Sequence, residues 1–123
     1  MTKSKTIPVM TTCKELIAFF EAIPTENWGV GDYEVSPGCY CALGHLGERE
    51  NKHSVGAADA AYLLGRQLVK HAKDTAADDF VYLPDLIEAN DGNYWNDALL
   101  GPMPDNPKDR VLALLRWGQE QGL

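Results

Sequence analysis

Apolar residues recur at helical spacing along three long segments, 13–23, 55–73 and 107–120, which predicts three amphipathic helices. The first segment follows Thr12, and Glu15 comes three residues later, which is the spacing of a capping box. The predicted apolar face of this helix consists of Leu16, Phe19, Phe20 and Ile23.

The second segment, residues 55–73, carries mainly alanine and leucine on its inner face, with glycines nearby. Small side chains let neighbouring helices approach closely, so we expect this segment to be the central core helix, with Leu64 and Leu68 buried. The face as a whole is Ala57, Ala61, Leu64, Leu68 and Ala72.

Shorter elements lie between these segments and in the C-terminal third. Residues 83–90 predict a short helix with Pro84 in its first turn. Three closely spaced prolines exclude a long helix in residues 94–107, which we expect to form a loop with its own contacts. Asn106 caps and Pro107 opens the last helix. The apolar face of that helix is Val111, Leu112, Leu114 and Leu115.

The cysteine-containing stretch is predicted to form a turn followed by a short helix. Tyr33 and Val35 alternate with acids, which favours a short strand. Ser36 followed by Pro37 is typical of a helix start and would place the next two cysteines in the first turn or two.

We therefore predict a mainly α fold, a small single-domain helical bundle of four to five helices. A short β-hairpin or an extended N-terminal segment accompanies the bundle. The length of 123 residues suits one globular domain covering residues 1–123.

Charge is distributed unevenly along the chain, which has a net charge of −7. Residues 15–48 contain six acids and no Lys or Arg, and residues 74–107 contain eight acids and no base. This balance argues against direct contact with nucleic acid and permits a basic partner or a bound cation. The absence of an apolar leader or membrane-length run, together with an odd count of three cysteines without a paired framework, predicts a cytoplasmic protein without membrane contact.

The cysteines allow three interpretations. Cys41 and His45 are four residues apart and could act as nucleophile and base of a thiol-dependent enzyme. Cys39, Cys41, His45 and His53 could together hold zinc in a small zinc-supported domain, although the spacing of the cysteines is unusually short. In the third interpretation these residues are structural, the cysteines as small apolar side chains, and no metal or other cofactor is expected.

A separate set of residues could form a binding surface. Aromatic side chains among polar residues are common binding anchors, and carboxylates would attract a basic partner. The predicted binding residues are Trp28, Asp32, Asp91, Tyr94, Trp95 and Asp97. Two of them also have a structural interpretation, since Trp28 could plug the edge of the core and Trp95 could pin its loop.

Three short motifs resemble those of a family of small helical proteins of actinobacteria and their phages. They are Cys41-Ala42-Leu43-Gly44, Ile87 followed by Asn90-Asp91, and the run of residues 110–116, with Trp28 ahead of them. The resemblance covers residues 28–117. The family is a domain of unknown function, so the resemblance implies no catalytic residue, and it favours a phage or mobile-element origin. This chain differs from the family's pattern by Cys39, by His45 and by the aromatic and proline-rich insertion after Asp91.

The sequence thus favours a non-enzymatic, small acidic binding protein that contacts a host protein or a small ligand. The thiol-dependent enzyme and the zinc-supported domain are the alternatives. The oligomeric state does not follow from these patterns.

Overall fold

The computed structural model describes residues 7–31, 34–36, 39–47, 56–75 and 82–123. Within these ranges the fold is mainly α, as predicted, with more helices than the expected four to five because two are single turns. The helices are α1 (Cys13–Glu21), α2 (Ala42–His45), α3 (Ala57–Thr75), α4 (Leu86–Asp91), α5 (Asp97–Leu100) and α6 (Pro107–Glu120). A 3-10 helix covers Thr25–Asn27, and the strands are β1 (Glu34–Ser36) and β2 (Cys39–Tyr40). None of the described helices combines the length and the apolar composition that crossing a bilayer requires.

Helices α1 and α6 begin where their caps predict. Thr12 and Glu15 form the reciprocal capping box of α1, and Asn106 accepts a hydrogen bond from the Asp109 backbone N–H at the start of α6. The predicted face of α3 is confirmed, since Leu64 and Leu68 are 3% and 0% exposed. In α1 the predicted face is shifted, because Phe19 and Ile23 are only partly buried and Cys13 and Ile17 are buried instead. The acidic first turns match the positive end of the helix dipole.

Helix α3 packs against α2 and α4. Helix α6 packs against α1, α4 and α5, and it reaches α3 where Gly118 lies against Leu68. The branched side chains of α6 are large enough to contact several helices at once. The small residues of α3 instead allow close approach. A Cβ on Gly65 would lie 3.0 Å from the Leu86 backbone N of α4.

The prediction that a helix starts at Ser36 and Pro37 is wrong. Ser36 ends β1, and Cys39 begins β2, which pairs antiparallel with β1. Tyr40 explains the difference, because its carbonyl accepts a hydrogen bond from the Gly29 N–H at 3.0 Å and holds this stretch extended. Helix α2 starts only after Cys41, which is its N-cap residue.

Two corrections concern the C-terminal third. Pro84 precedes α4 instead of lying in its first turn, because Asp85 is the N-cap and forms a capping box with Glu88. The loop of residues 94–107 contains the single-turn helix α5, whose N-cap Asn96 accepts a hydrogen bond from the Leu99 N–H. The prediction that no long helix forms there is confirmed.

Candidate functional site

A cavity of about 190 Å³ lies where α2 meets α4. Its lining residues are Gly31, Cys41, Ala42, Leu43, Ile87, Asn90 and Asp91. Drug-sized ligands occupy roughly 300–1,000 Å³, whereas a buried apolar cavity of about 150 Å³ accommodates benzene. This cavity therefore suits one compact group, such as a single side chain.

Asn90 holds the walls of the cavity together. Its side chain is 1% exposed. Its Oδ1 accepts a hydrogen bond from the Ala42 N–H at 3.0 Å, and its Nδ2 donates to the Gly29 carbonyl at 2.9 Å. A buried amide with partners at both ends fixes the relative positions of the segments it joins. The start of α2, the segment after Trp28 and the end of α4 are therefore held in register by one side chain.

Asp91 supplies the carboxylate of the lining. Its Oδ1 accepts two hydrogen bonds, from the Gly31 N–H at 3.0 Å and from the Nδ2 of Asn90 at 3.0 Å. The side chain is half-buried. In the part of the chain that the structure describes, no hydrogen bond reaches its Oδ2 and no Lys, Arg or His nitrogen lies within 4.0 Å of it.

Arg110 supports the site from behind. Its guanidinium donates from Nη2 to the Asn90 carbonyl at 3.0 Å and from Nη1 to the Pro104 carbonyl at 3.1 Å. The residue is 8% exposed, and its Nε has no hydrogen-bond partner within the described ranges. A cation near the carbonyl end of a helix is stabilised by the helix dipole. Arg110 therefore positions the end of α4, and with it Asn90 and Asp91.

The two residues of the predicted thiol pair lie at the two ends of α2, where Cys41 is the N-cap and the His45 N–H donates to the Cys41 carbonyl at 3.0 Å. Cys41 is 8% exposed and lines the cavity. His45 is not among the lining residues, and its ring packs against the rings of Trp28 and Tyr40, with centroid distances of 4.9 and 5.3 Å. His53 of the predicted zinc set lies outside the described residues. Within the described ranges, no group of three His, Cys, Asp or Glu side chains could hold a metal ion.

The predicted binding residues are spread over different surroundings. Trp28 is 6% exposed and packs on Phe20 and His45, so its ring lies in the core. Trp95 is half-buried and donates from Nε1 to the Gly101 carbonyl at 2.9 Å, which pins its loop.

The remaining members of the set are mostly outside the cavity. Tyr94 is 67% exposed with a φ of 55°, and Asp97 is exposed in the first turn of α5. Asp32 lies outside the described residues. Among the members of the predicted binding set that the structure describes, only Asp91 lines the cavity.

Sequence reasoning missed the roles of Asn90 and Arg110 in this site. The sequence presents Asn90 only within the motif of Ile87 followed by Asn90-Asp91, and Arg110 only within the run of residues 110–116, with no site role for either. The three motifs that carried the family resemblance contain the signal, because residues from all three meet at this cavity or directly behind it. Comparison with protein-family models, with curated protein sequences and with solved structures finds no match for the chain.

Proposed function

We propose that the protein is a non-enzymatic binding protein whose cavity between α2 and α4 receives one compact group of its partner. The observation that carries this proposal is the cavity itself, which has apolar walls from Leu43 and Ile87 and one polar side from Asn90 and Asp91. Sites that recognise a ligand combine an apolar lining with a few fixed polar groups.

Exposed apolar side chains beside the cavity support a protein as the partner. Ile87, a lining residue, is 39% exposed, and Val30, next to the lining residue Gly31, is 45% exposed. Apolar side chains around a pocket are typical of contact surfaces between proteins. The resemblance to proteins of actinobacteria and phages favours a host protein as this partner. The buried thiol of Cys13 forms no disulfide, which favours a reducing cytoplasm.

The arrangement favours binding over catalysis. The side chain of Asn90 is committed at both ends to backbone groups, and the ring of His45 lies in an aromatic cluster beside the core. A thiol nucleophile needs a base within hydrogen-bond reach and a group that orients it. The thiol-dependent enzyme remains the second candidate, because Cys41 lines the cavity.

Titration of the full ¹⁵N-labelled chain with two probes tests the proposal. The probes are Nα-acetyl-lysine methylamide and Nα-acetyl-norleucine methylamide, which share a four-carbon stem. We expect at least one of them to shift the backbone amide signals of Gly31, Ala42 and Leu43. Shifts that are absent with both probes would contradict the proposal.

Two matched variants localise the binding. Ile87→Trp fills the mouth of the cavity and should abolish the shifts. Leu99→Trp changes a residue of nearly the same exposure, 37%, that does not line the cavity, and it should leave them unchanged. Equal binding by both variants would place the contact elsewhere. If instead Cys41→Ser leaves probe binding intact but abolishes a hydrolytic or transfer activity of the wild-type chain, the thiol-dependent enzyme replaces the binding protein.

A further inference from the structure

The walls of the cavity come from the two acidic parts of the chain. Gly31, Cys41, Ala42 and Leu43 belong to residues 15–48, which contain six acids and no Lys or Arg. Ile87, Asn90 and Asp91 belong to residues 74–107, which contain eight acids and no base. A cleft between low-dielectric walls focuses the field of its surrounding charges. The carboxylate of Asp91 in the lining and the net charge of −7 together favour a cationic group over an anionic one.

The carboxylate of Asp91 offers that cation one oxygen. Its Oδ1 is already occupied by the donors of Gly31 and Asn90. Its Oδ2 accepts no hydrogen bond from any residue that the structure describes. Among the described residues Arg110 forms no ion pair with this carboxylate, because its guanidinium donates to the carbonyls of Asn90 and Pro104.

The hydrogen bonding of the Asp91 carboxylate distinguishes lysine from arginine as the bound side chain. An arginine guanidinium is a planar fork that matches a carboxylate with both oxygens available, whereas a lysine ammonium is a compact point charge on a flexible four-carbon stem. One available oxygen fits the point charge. The apolar walls of Leu43 and Ile87 would cover the stem, as apolar surfaces commonly do for lysine.

We infer that the cavity binds the side chain of a lysine in a basic segment of a partner protein, with the ammonium on Oδ2 of Asp91. This inference rests on the proposed function. The lysine stem lies between Leu43 and Ile87, and the acidic surroundings attract the rest of the basic segment. Because the attraction is partly long-range, binding weakens as salt shortens the Debye length from about 10 Å at 0.1 M to about 3 Å at 1 M.

The two capped amino acids also test this inference, because norleucine has the lysine stem without the ammonium. We expect the lysine probe to bind the wild-type chain about tenfold more tightly, as a hydrogen bond to a charged group predicts. Asp91→Asn should remove this difference while the amide can still accept the hydrogen bond of the Gly31 N–H. Glu120→Gln removes the same charge from an exposed site about 15 Å along α6 from Arg110, and it should retain the difference.

The outcomes separate this inference from the proposed function. If norleucine binds in the cavity as tightly as lysine, the cavity takes a neutral group, so the inference fails and the binding protein stands. If capped arginine binds more tightly than capped lysine, the fork is preferred and the lysine assignment is wrong. If n-butylammonium binds more tightly than capped lysine, the ligand is a free amine and not a side chain. If no probe shifts the cavity amides, the proposed function itself fails.

Discussion

The two buried cysteines that the structure describes lie in contrasting parts of the molecule. Cys13 of α1 is 0% exposed and sits against Gly118 of α6, where a Cβ on the glycine would lie 2.6 Å from its Sγ. Cys41 is 8% exposed and lines a cavity whose walls are joined by the buried amide of Asn90. The first site is apolar and close-packed, and the second is hydrogen-bonded and has unfilled space.

This difference shows how two regions of one small core serve different purposes. Around Cys13 the thiol packs closely against Gly118, and the backbone N–H donates to the Leu123 carbonyl at 3.3 Å, so the region stabilises the fold. Burial there raises the pKa of the Cys13 thiol to about 11, so it is protonated and unreactive at neutral pH. Around Cys41 the hydrogen bonds of Asn90 hold the cavity walls at a fixed separation, so the space between α2 and α4 is kept.

The largest expected effect comes from removing the amide that joins the cavity walls. Asn90→Ala leaves the Ala42 N–H and the Gly29 carbonyl without their partner, and an unsatisfied buried group costs about 1–3 kcal/mol. We expect the free energy of unfolding, measured by urea denaturation, to fall by about 2–4 kcal/mol. Asn96→Ala, which removes the cap of the exposed helix α5, should cost about 1 kcal/mol. Equal losses in both variants would mean that the Asn90 network does not hold this end together.

The next effect comes from filling the close-packed region. Gly118→Ala would place a methyl group 2.6 Å from the Cys13 Sγ and 2.7 Å from a Leu68 methyl. Overpacking of this kind costs about 1–3 kcal/mol in unfolding free energy. Since Cys13→Ala removes the nearer atom, the double variant should recover part of the loss, as a double-mutant cycle would measure. A Gly118→Ala protein as stable as the wild type would show that this region is looser than the distances indicate.

The smallest expected effect leaves the fold intact and concerns the rates at which the two thiols react. In a Cys39→Ser background, we expect a thiol-disulfide reagent at pH 8 to label Cys41 in the native state, because it lines an open cavity. Cys13 should react only as fast as the protein unfolds, because it is inaccessible and its pKa is raised to about 11. Mass spectrometry of digests taken over time gives both rates, and rapid labelling of Cys13 would contradict the contrast.

The raised pKa of the Cys13 thiol also makes the free energy of unfolding depend on pH. The folded state holds the proton more tightly than the unfolded state, whose pKa is near 9.0. The contribution of Cys13 is therefore complete below about pH 9 and is lost as the pH rises to about 11. At pH 8, the pH of the labelling experiment, this contribution is still complete, so ionisation of Cys13 does not weaken the fold during labelling.

The long helices were predictable because their signals are local. Thr12 with Glu15 and Asn106 with Pro107 are start signals that act within one helical turn. The inner face of α3, including Leu64 and Leu68, follows from the repeat of 3.6 residues alone. A mainly α fold was therefore determined by the sequence before any tertiary contact was known.

The cysteine stretch was decided by contacts between distant parts of the chain. Ser36 and Pro37 are a valid local helix start. Tyr40 is nevertheless held extended by its hydrogen bond with Gly29, a contact that the local sequence pattern does not reveal. The cavity depends on the same kind of information, because Asn90 reaches Ala42 across 48 positions of sequence and Gly29 across 61. Sequence periodicity assigns residues to faces of one element, whereas a site built between elements exists only once their packing is known. The acidic composition and the helices were thus determined by the sequence itself, and the joining of Cys41, Asn90 and Asp91 around one cavity was decided by the tertiary structure.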